Sequence, residues 1–118
     1  MACGRNALRI NQREVILIPF PFSDLSGTKV RPALVISNDE YNTKNHDVIV
    51  LAVTSNLLPN SYKVFFDLND LDFGFIPVKS AIRVDKPFSF LQAKTLKVLG
   101  TITTQKLQQV KTILQNIL

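Results

Sequence analysis

The chain has 118 residues, of which 46% are apolar. That is enough for one domain with its own core and too apolar for a disordered polypeptide. Its 14 Lys and Arg outweigh 9 Asp and Glu, giving a net charge of +5, a balance compatible with a nucleic-acid partner. One cysteine, Cys3, excludes an internal disulfide and a cysteine-based zinc site. Residues 1–12 hold no apolar stretch of the signal-peptide kind, and no apolar run is long enough to cross a bilayer, so the expectation is a cytoplasmic protein with no membrane partner.

Residues 1–12 are polar and basic without periodicity, and are expected to be a loosely held N-terminal arm before a single domain over 13–118. Residues 14–20 read as a strand of β-branched and aliphatic residues, with Pro19 and Pro21 weakening its pairing or placing it at an edge. Ser23 to Val30, with Gly27 and Lys29, reads as a long polar loop, and 31–37 as the returning strand of a hairpin, Pro32 sitting at its start. A short helical turn is expected over 40–43, inside a polar stretch. Residues 48–53 form a continuous apolar run, the mark of a buried strand, closed by Thr54-Ser55-Asn56. Further strands are expected over 62–68, 80–86 and 96–102, with 69–77 a loop, 88–94 unassigned, and Gly100 marking a bulge or close approach. Thr103 or Thr104 is placed to cap a last helix, in which Leu107, Val110, Ile113, Leu114, Ile117 and Leu118 recur at spacings of three and four. The sum is a mainly β protein with a C-terminal helix (β+α). It is expected to be a small, strongly twisted antiparallel barrel, with the helix over one open face or end.

Arg83 and Asp85 stand at i and i+2 in a strand, so both share one face while Ile82 and Val84 turn to the core. An acid and a base side by side on an exposed sheet face can bind and activate a phosphodiester. The same pair can equally be a surface ion pair worth about 0–1 kcal/mol. Arg31 can reach a phosphate with its guanidinium fork, or stand in water at a strand edge. Thr54 and Ser55 can cap backbone groups or bond a phosphate. His46, the single histidine, lies in a polar turn, so one subunit cannot run a two-histidine nuclease mechanism. No His, Cys or Asp cluster has metal-ligand spacing, so neither metal nor cofactor is expected. Asp67, Asn69, Asp70 and Asp72 lack the spacing of a calcium loop and read as a solvated turn.

Taken together, the block FPFSDLSGTKVRPALVIS, an apolar strand ending in VTS, the run SAIRVDK, a KVLGTI segment and the amphipathic helix resemble the MazF/PemK (Kid) toxins of type II toxin–antitoxin systems, over roughly residues 14–118. The resemblance implies an SH3-like barrel of the MazF/PemK/CcdB type and a homodimer. It implies metal-independent, sequence-selective cleavage of single-stranded RNA by attack of the ribose 2′-hydroxyl, leaving 2′,3′-cyclic phosphate and 5′-hydroxyl ends. It implies a cognate antitoxin, a small acidic protein. Residue by residue, it implies that Arg31 binds the scissile phosphate, Thr54 hydrogen-bonds it with Ser55 beside it, Asp85 is the general base, and Arg83 its partner, proposed as general acid, although a guanidinium is better suited to stabilising the phosphorane by its charge. Ser26, Thr28, Lys29 and Lys86 are implied RNA contacts, so the first hairpin loop and Arg31 would form one wall of the cleaving groove. Two positions depart from the pattern: Arg13 stands where many members have glycine, and the first hairpin has no histidine, its charge being left to Lys29. The competing reading is a non-catalytic barrel that binds RNA or antitoxin, or poisons DNA gyrase as CcdB-type toxins do.

Overall fold

The computed structural model describes the backbone of residues 9–24 and 27–118, and the side chains of residues 9–20 and 29–118. In chain order, the strands are β1 (Glu14–Asp24), β2 (Gly27–Val35), β3 (Asp47–Thr54), β4 (Lys63–Phe66), β5 (Leu71–Gly74), β6 (Ser80–Leu91) and β7 (Lys97–Ile102). The helices are α1 (Asp39–Lys44), between β2 and β3, and α2 (Thr104–Ile117), after β7. All seven strands form one antiparallel sheet in the order β4-β6-β3-β2-β1-β7-β5.

That order forces the sheet to curl. Laid flat, seven strands would span about 29 Å at ~4.8 Å per step. Yet β4 and β5, the two edges, are consecutive in the chain and joined only by residues 67–70, a link that spans at most about 17 Å. The edges must therefore swing toward each other, and α2 closes the gap between them. Lys106 on α2 donates to the Phe65 carbonyl of β4 (3.1 Å) and pairs with Asp70, just before β5 (3.8 Å). Its bond to Phe65 also blunts the short β4 edge against pairing with another chain. The result is a curled half-barrel with a C-terminal helix, in keeping with the small antiparallel barrel expected.

The pleat sorts the apolar residues into two cores. Val15, Leu34, Leu51, Val53, Phe66, Ile82, Val84 and Ile102 face α2 and pack with its Leu107 and Val110. Ile16, Ile18, Ala33, Val35, Val48 and Val50 line the opposite face, with Phe20, Phe88, Phe90 and Val98 packed against them. Each such Val, Leu, Ile or Phe side chain contributes roughly 1.5–3 kcal/mol by leaving water. The sheet as a whole curls toward α2, and this second face is concave only locally, where coiled β1 and β6 fold over it. In a flat sheet Phe20 and Phe88 would stand about 24 Å apart, from six residues along and three strands across. Their rings instead meet edge to face at 5.7 Å.

Several expectations need correction. The hairpin between β1 and β2 has no long loop: Pro19 pairs with Val30, Phe20 with Lys29 and Asp24 with Gly27, leaving only residues 25 and 26 at the tip, which lie outside the described residues. A register shift between Phe20 and Asp24 falls on Pro21, which has no N–H to give a ladder. Within the expected 69–77 loop lies β5, and β6 continues past residue 86 through Pro87 to Leu91. The acidic stretch is tied down rather than merely solvated: Asp67 and Asp70 form a reciprocal cap, Asp70 meets Lys106 and Asp72 meets Arg13 at 2.9 Å. Of the arm expected over 1–12, residues 1–8 lie outside the described residues, and 9–12 are docked on the body. Ile10 is 1% exposed, and Gln12 donates to the Ile36 carbonyl at 2.8 Å. Beside it, burial pushes the Glu14 carboxyl above its ordinary range, against the lowering effect of its bonds to Asn11. The last turn of α2 leaves the sheet, with Ile117 and Leu118 exposed. The close approach expected at Gly100 is present, beside the β1–β7 register shift, and Thr103 is the N-cap of α2.

Candidate functional site

The sheet register brings together three of the four expected catalytic residues. On β2, Arg31 pairs with Ile18, so it shares the concave face with Ile18 and Ala33. Two residues beyond the last β2–β3 pair, Ala33 with Ala52, the same register sets Arg31 against Thr54. Thr54 in turn pairs with Ala81 on β6, two residues before Arg83. Three adjacent strands thus carry Arg31, Thr54 and the approach to Arg83 on one face, with neighbouring strands about 4.8 Å apart. Lys29 joins them on the same face, opposite Phe20.

The sheet is irregular where the chemistry would sit. Between the pairs Val53–Ile82 and Leu51–Pro87, two steps along β3 are matched by five along β6, so residues 83–86 bulge out of the ladder. A bulge bends a strand and re-aims its side chains. Here Ile82 and Val84 are both 0% exposed, so they anchor the bulge in the core facing α2. Arg83 is left half-buried and Asp85 and Lys86 exposed. Proline at 87, which removes a ladder N–H, completes the interruption.

The charges of this face have no internal partner among the described residues. Ion pairs there join Arg13 to Asp72, Lys44 to Glu40 and Lys106 to Asp70, and none involves Arg31, Arg83 or Asp85. The surface ion pair that Arg83 and Asp85 could have formed is therefore not made. Two unneutralised guanidinium groups on one face raise the local positive potential, which attracts anions. Thr54 shares that face by register. Its Oγ1 accepts the Asn56 N–H at 3.1 Å, which occupies one lone pair and leaves the hydroxyl proton free.

The remaining expected residues divide. Ser55 is exposed beside Thr54. Ser26 is outside the described residues, and Thr28 is described in its backbone only. His46 is exposed and enters the structure through its carbonyl, which accepts from Gln92. Among the described residues no group of three His, Cys, Asp or Glu side chains could hold a metal ion, and no helix is long and apolar enough to cross a membrane. Sequence reading missed Lys63, which the register places beside Arg83. The signal available was its place at the head of a strand, but the pairing of that strand with β6 cannot be read from spacing.

Solved structures share this fold. A MazE–MazF complex from Deinococcus radiodurans superposes with a TM-score of 0.78 at 18% identity, covering 94% of this chain and 96% of that one. A mycobacterial endoribonuclease in complex with its cognate antitoxin gives 0.74 at 17% identity, covering 91% and 92%. Toxin MazF-mt6 of Mycobacterium tuberculosis gives 0.72 at 13% identity, covering 88% and 94%. No curated protein sequence matches the chain. The family follows from the sequence itself: residues 11–118 match the model of the PemK-like, MazF-like toxins of type II toxin–antitoxin systems, and the chain belongs to that family.

Proposed function

We propose that the chain is a metal-independent endoribonuclease that cuts single-stranded RNA, the toxin of a toxin–antitoxin pair. The observation that carries this reading is the placement of Arg31, Thr54 and Arg83 on one concave face with both guanidinium groups unpaired among the described residues. Arg31 and the Thr54 hydroxyl hold the non-bridging oxygens of the scissile phosphate. Asp85 takes the proton of the adjacent 2′-hydroxyl, whose oxygen attacks phosphorus. The P–O5′ bond breaks, the departing oxygen takes a proton from solvent water while Asp85 releases its own to solvent, and the products carry a 2′,3′-cyclic phosphate and a 5′-hydroxyl. Arg83 stabilises the extra negative charge of the phosphorane. A guanidinium, with a pKa above about 12, is better suited to that role than to giving up a proton. Lys29, Ser55 and Lys86 guide the strand into the groove, and Ser26 and Thr28 at the hairpin tip extend the contact.

The partners follow from charge and from exposed apolar side chains. An acidic antitoxin segment competes with RNA for the unpaired cations. Exposed Phe73, Phe75, Val78 and Leu96 supply apolar area for a homodimer. The test is digestion of an unstructured oligoribonucleotide in EDTA, with the ends identified by mass spectrometry. Expected are 5′-hydroxyl products, lost by at least about 10²-fold in Asp85→Asn, as removal of a general base costs. Arg31→Ala should lose cleavage as well, with both variants folded by circular dichroism. Cleavage only with added metal, or 5′-phosphate ends, would refute the reading.

A further inference from the structure

Between the end of β3 and the start of β4 the chain runs through residues 55–62 without helix or strand. The segment is nevertheless held at several points. Asn56 N–H donates to Thr54 Oγ1 (3.1 Å), Leu58 N–H to Asn56 Oδ1 (2.9 Å) and Tyr62 N–H to Asn60 Oδ1 (2.7 Å). Lys63 then reaches back and donates from Nζ to the carbonyls of both Asn56 (3.1 Å) and Leu58 (3.0 Å). Lys63 is also the cross-strand partner of Arg83. A like charge placed there opposes Arg83 unless it is drawn off. The two carbonyls draw it off, and they spend two of the three ammonium donors on the backbone of the loop.

A lysine whose task was to hold a phosphate would keep its donors for the phosphate. This one is committed to the peptide groups that follow Thr54. We infer that Lys63 is a positioning residue for Thr54: it fixes the backbone of residues 56–58 so that Asn56 N–H stays on Thr54 Oγ1 and the Thr54 hydroxyl proton points at the substrate phosphate. The inference rests on the endoribonuclease reading and adds to it a residue that does not touch RNA. Without the clamp, Asn56 N–H swings free and the hydroxyl samples orientations that do not face the phosphate. The loss then falls on turnover rather than on binding.

The experiment compares Lys63→Met, which keeps the aliphatic stem, with Lys63→Arg, Thr54→Val and the double variant Lys63→Met/Thr54→Val. Cleavage of a single-stranded oligoribonucleotide and amide hydrogen exchange of Asn56 and Leu58 without RNA are both followed. Lys63→Met should lower kcat about tenfold with KM within about twofold, Lys63→Arg should restore most of the rate, and the double variant should be no slower than Thr54→Val. Exchange at Asn56 and Leu58 should quicken in Lys63→Met. Losses that multiply in the double variant would overturn the inference, as would an effect confined to KM, which makes Lys63 a direct RNA contact. If Lys63→Met does not fold, Lys63→Leu, which likewise has no donor, carries the same comparison. The two readings fail separately. A wild-type protein that cuts no RNA while exchange still responds ends the endoribonuclease reading, and with it the catalytic role of the clamp. A wild-type protein that cuts RNA while Lys63→Met changes neither exchange nor kcat ends the clamp alone.

Discussion

Arg13 has φ +80°, in the left-handed region that a residue with a Cβ occupies at a cost of roughly 1–2 kcal/mol. Glycine, which the family resemblance leads one to expect here, would take this conformation without strain. What holds an arginine in place is its position between strands. Its N–H donates to the Val35 carbonyl (3.0 Å), its carbonyl accepts from Ile102 (2.9 Å), and its guanidinium bonds Asp72 (2.9 Å) and the Ile102 carbonyl (2.8 Å). One residue thus ties β2, β7 and β5 at the entry to β1. The side-chain bonds and the backbone strain can be separated by substitution. Arg13→Ala loses the bonds and keeps the strain, whereas Arg13→Gly loses the bonds and releases the strain. Arg13→Gly should therefore be the more stable of the two by about 1 kcal/mol, despite the greater freedom of glycine in the unfolded chain. Urea midpoints of the two variants measure this, and equal midpoints would remove the strain from the account.

β5 shows how an element can be present without a local signature. Leu71-Asp72-Phe73-Gly74 has no β-branched residue and sits in a stretch rich in Asn, Asp and Gly, so it reads as loop. It is a strand because β7 offers it a partner, and because Gly74 and Gly100 pair so closely that side chains are excluded. A Cβ on Gly74, whose φ is +91°, would lie 2.2 Å from the Leu99 carbonyl oxygen and 2.3 Å from Gly100 Cα. Those are backbone atoms that cannot step aside. Gly74→Ala should cost about 3 kcal/mol, strain and overpacking together, read as a fall in the denaturation midpoint. An unchanged midpoint would mean that β5 is dispensable. The same contrast explains which parts of the fold were legible. Residues 48–53 and the helix announced themselves by apolar run and by period, while Thr54 could be placed at a strand end and Arg83 on the outward face of a strand. By contrast, the extensions of β1, β2 and β6 were hidden by Pro21, Gly27 and Pro87. The first and last of these are absorbed by register shifts, which tertiary pairing creates and local sequence does not encode.

On the scale of the molecule, the question is what a net charge of +5 does. Several cations are already spent: Arg13 on Asp72, Lys44 on Glu40, Lys106 on Asp70, and Lys63 on two carbonyls. Lys29, Arg31, Arg83 and Lys86 have no such partner among the described residues, and Lys29, Arg31 and Arg83 are set on or beside the concave face. Binding of single-stranded nucleic acid releases about 0.7 counterions per phosphate neutralised, so four such contacts give a slope of about −3 in log affinity against log salt concentration. The Asp85→Asn variant would allow this to be measured on an intact oligoribonucleotide by fluorescence anisotropy. Adding Arg31→Ala to it should weaken binding and flatten the slope by about 0.7. Adding Lys44→Ala, which removes a charge already paired on α1, should leave the slope where it was. If both substitutions flatten it equally, RNA responds to overall charge alone and the concave face is not where the strand lies.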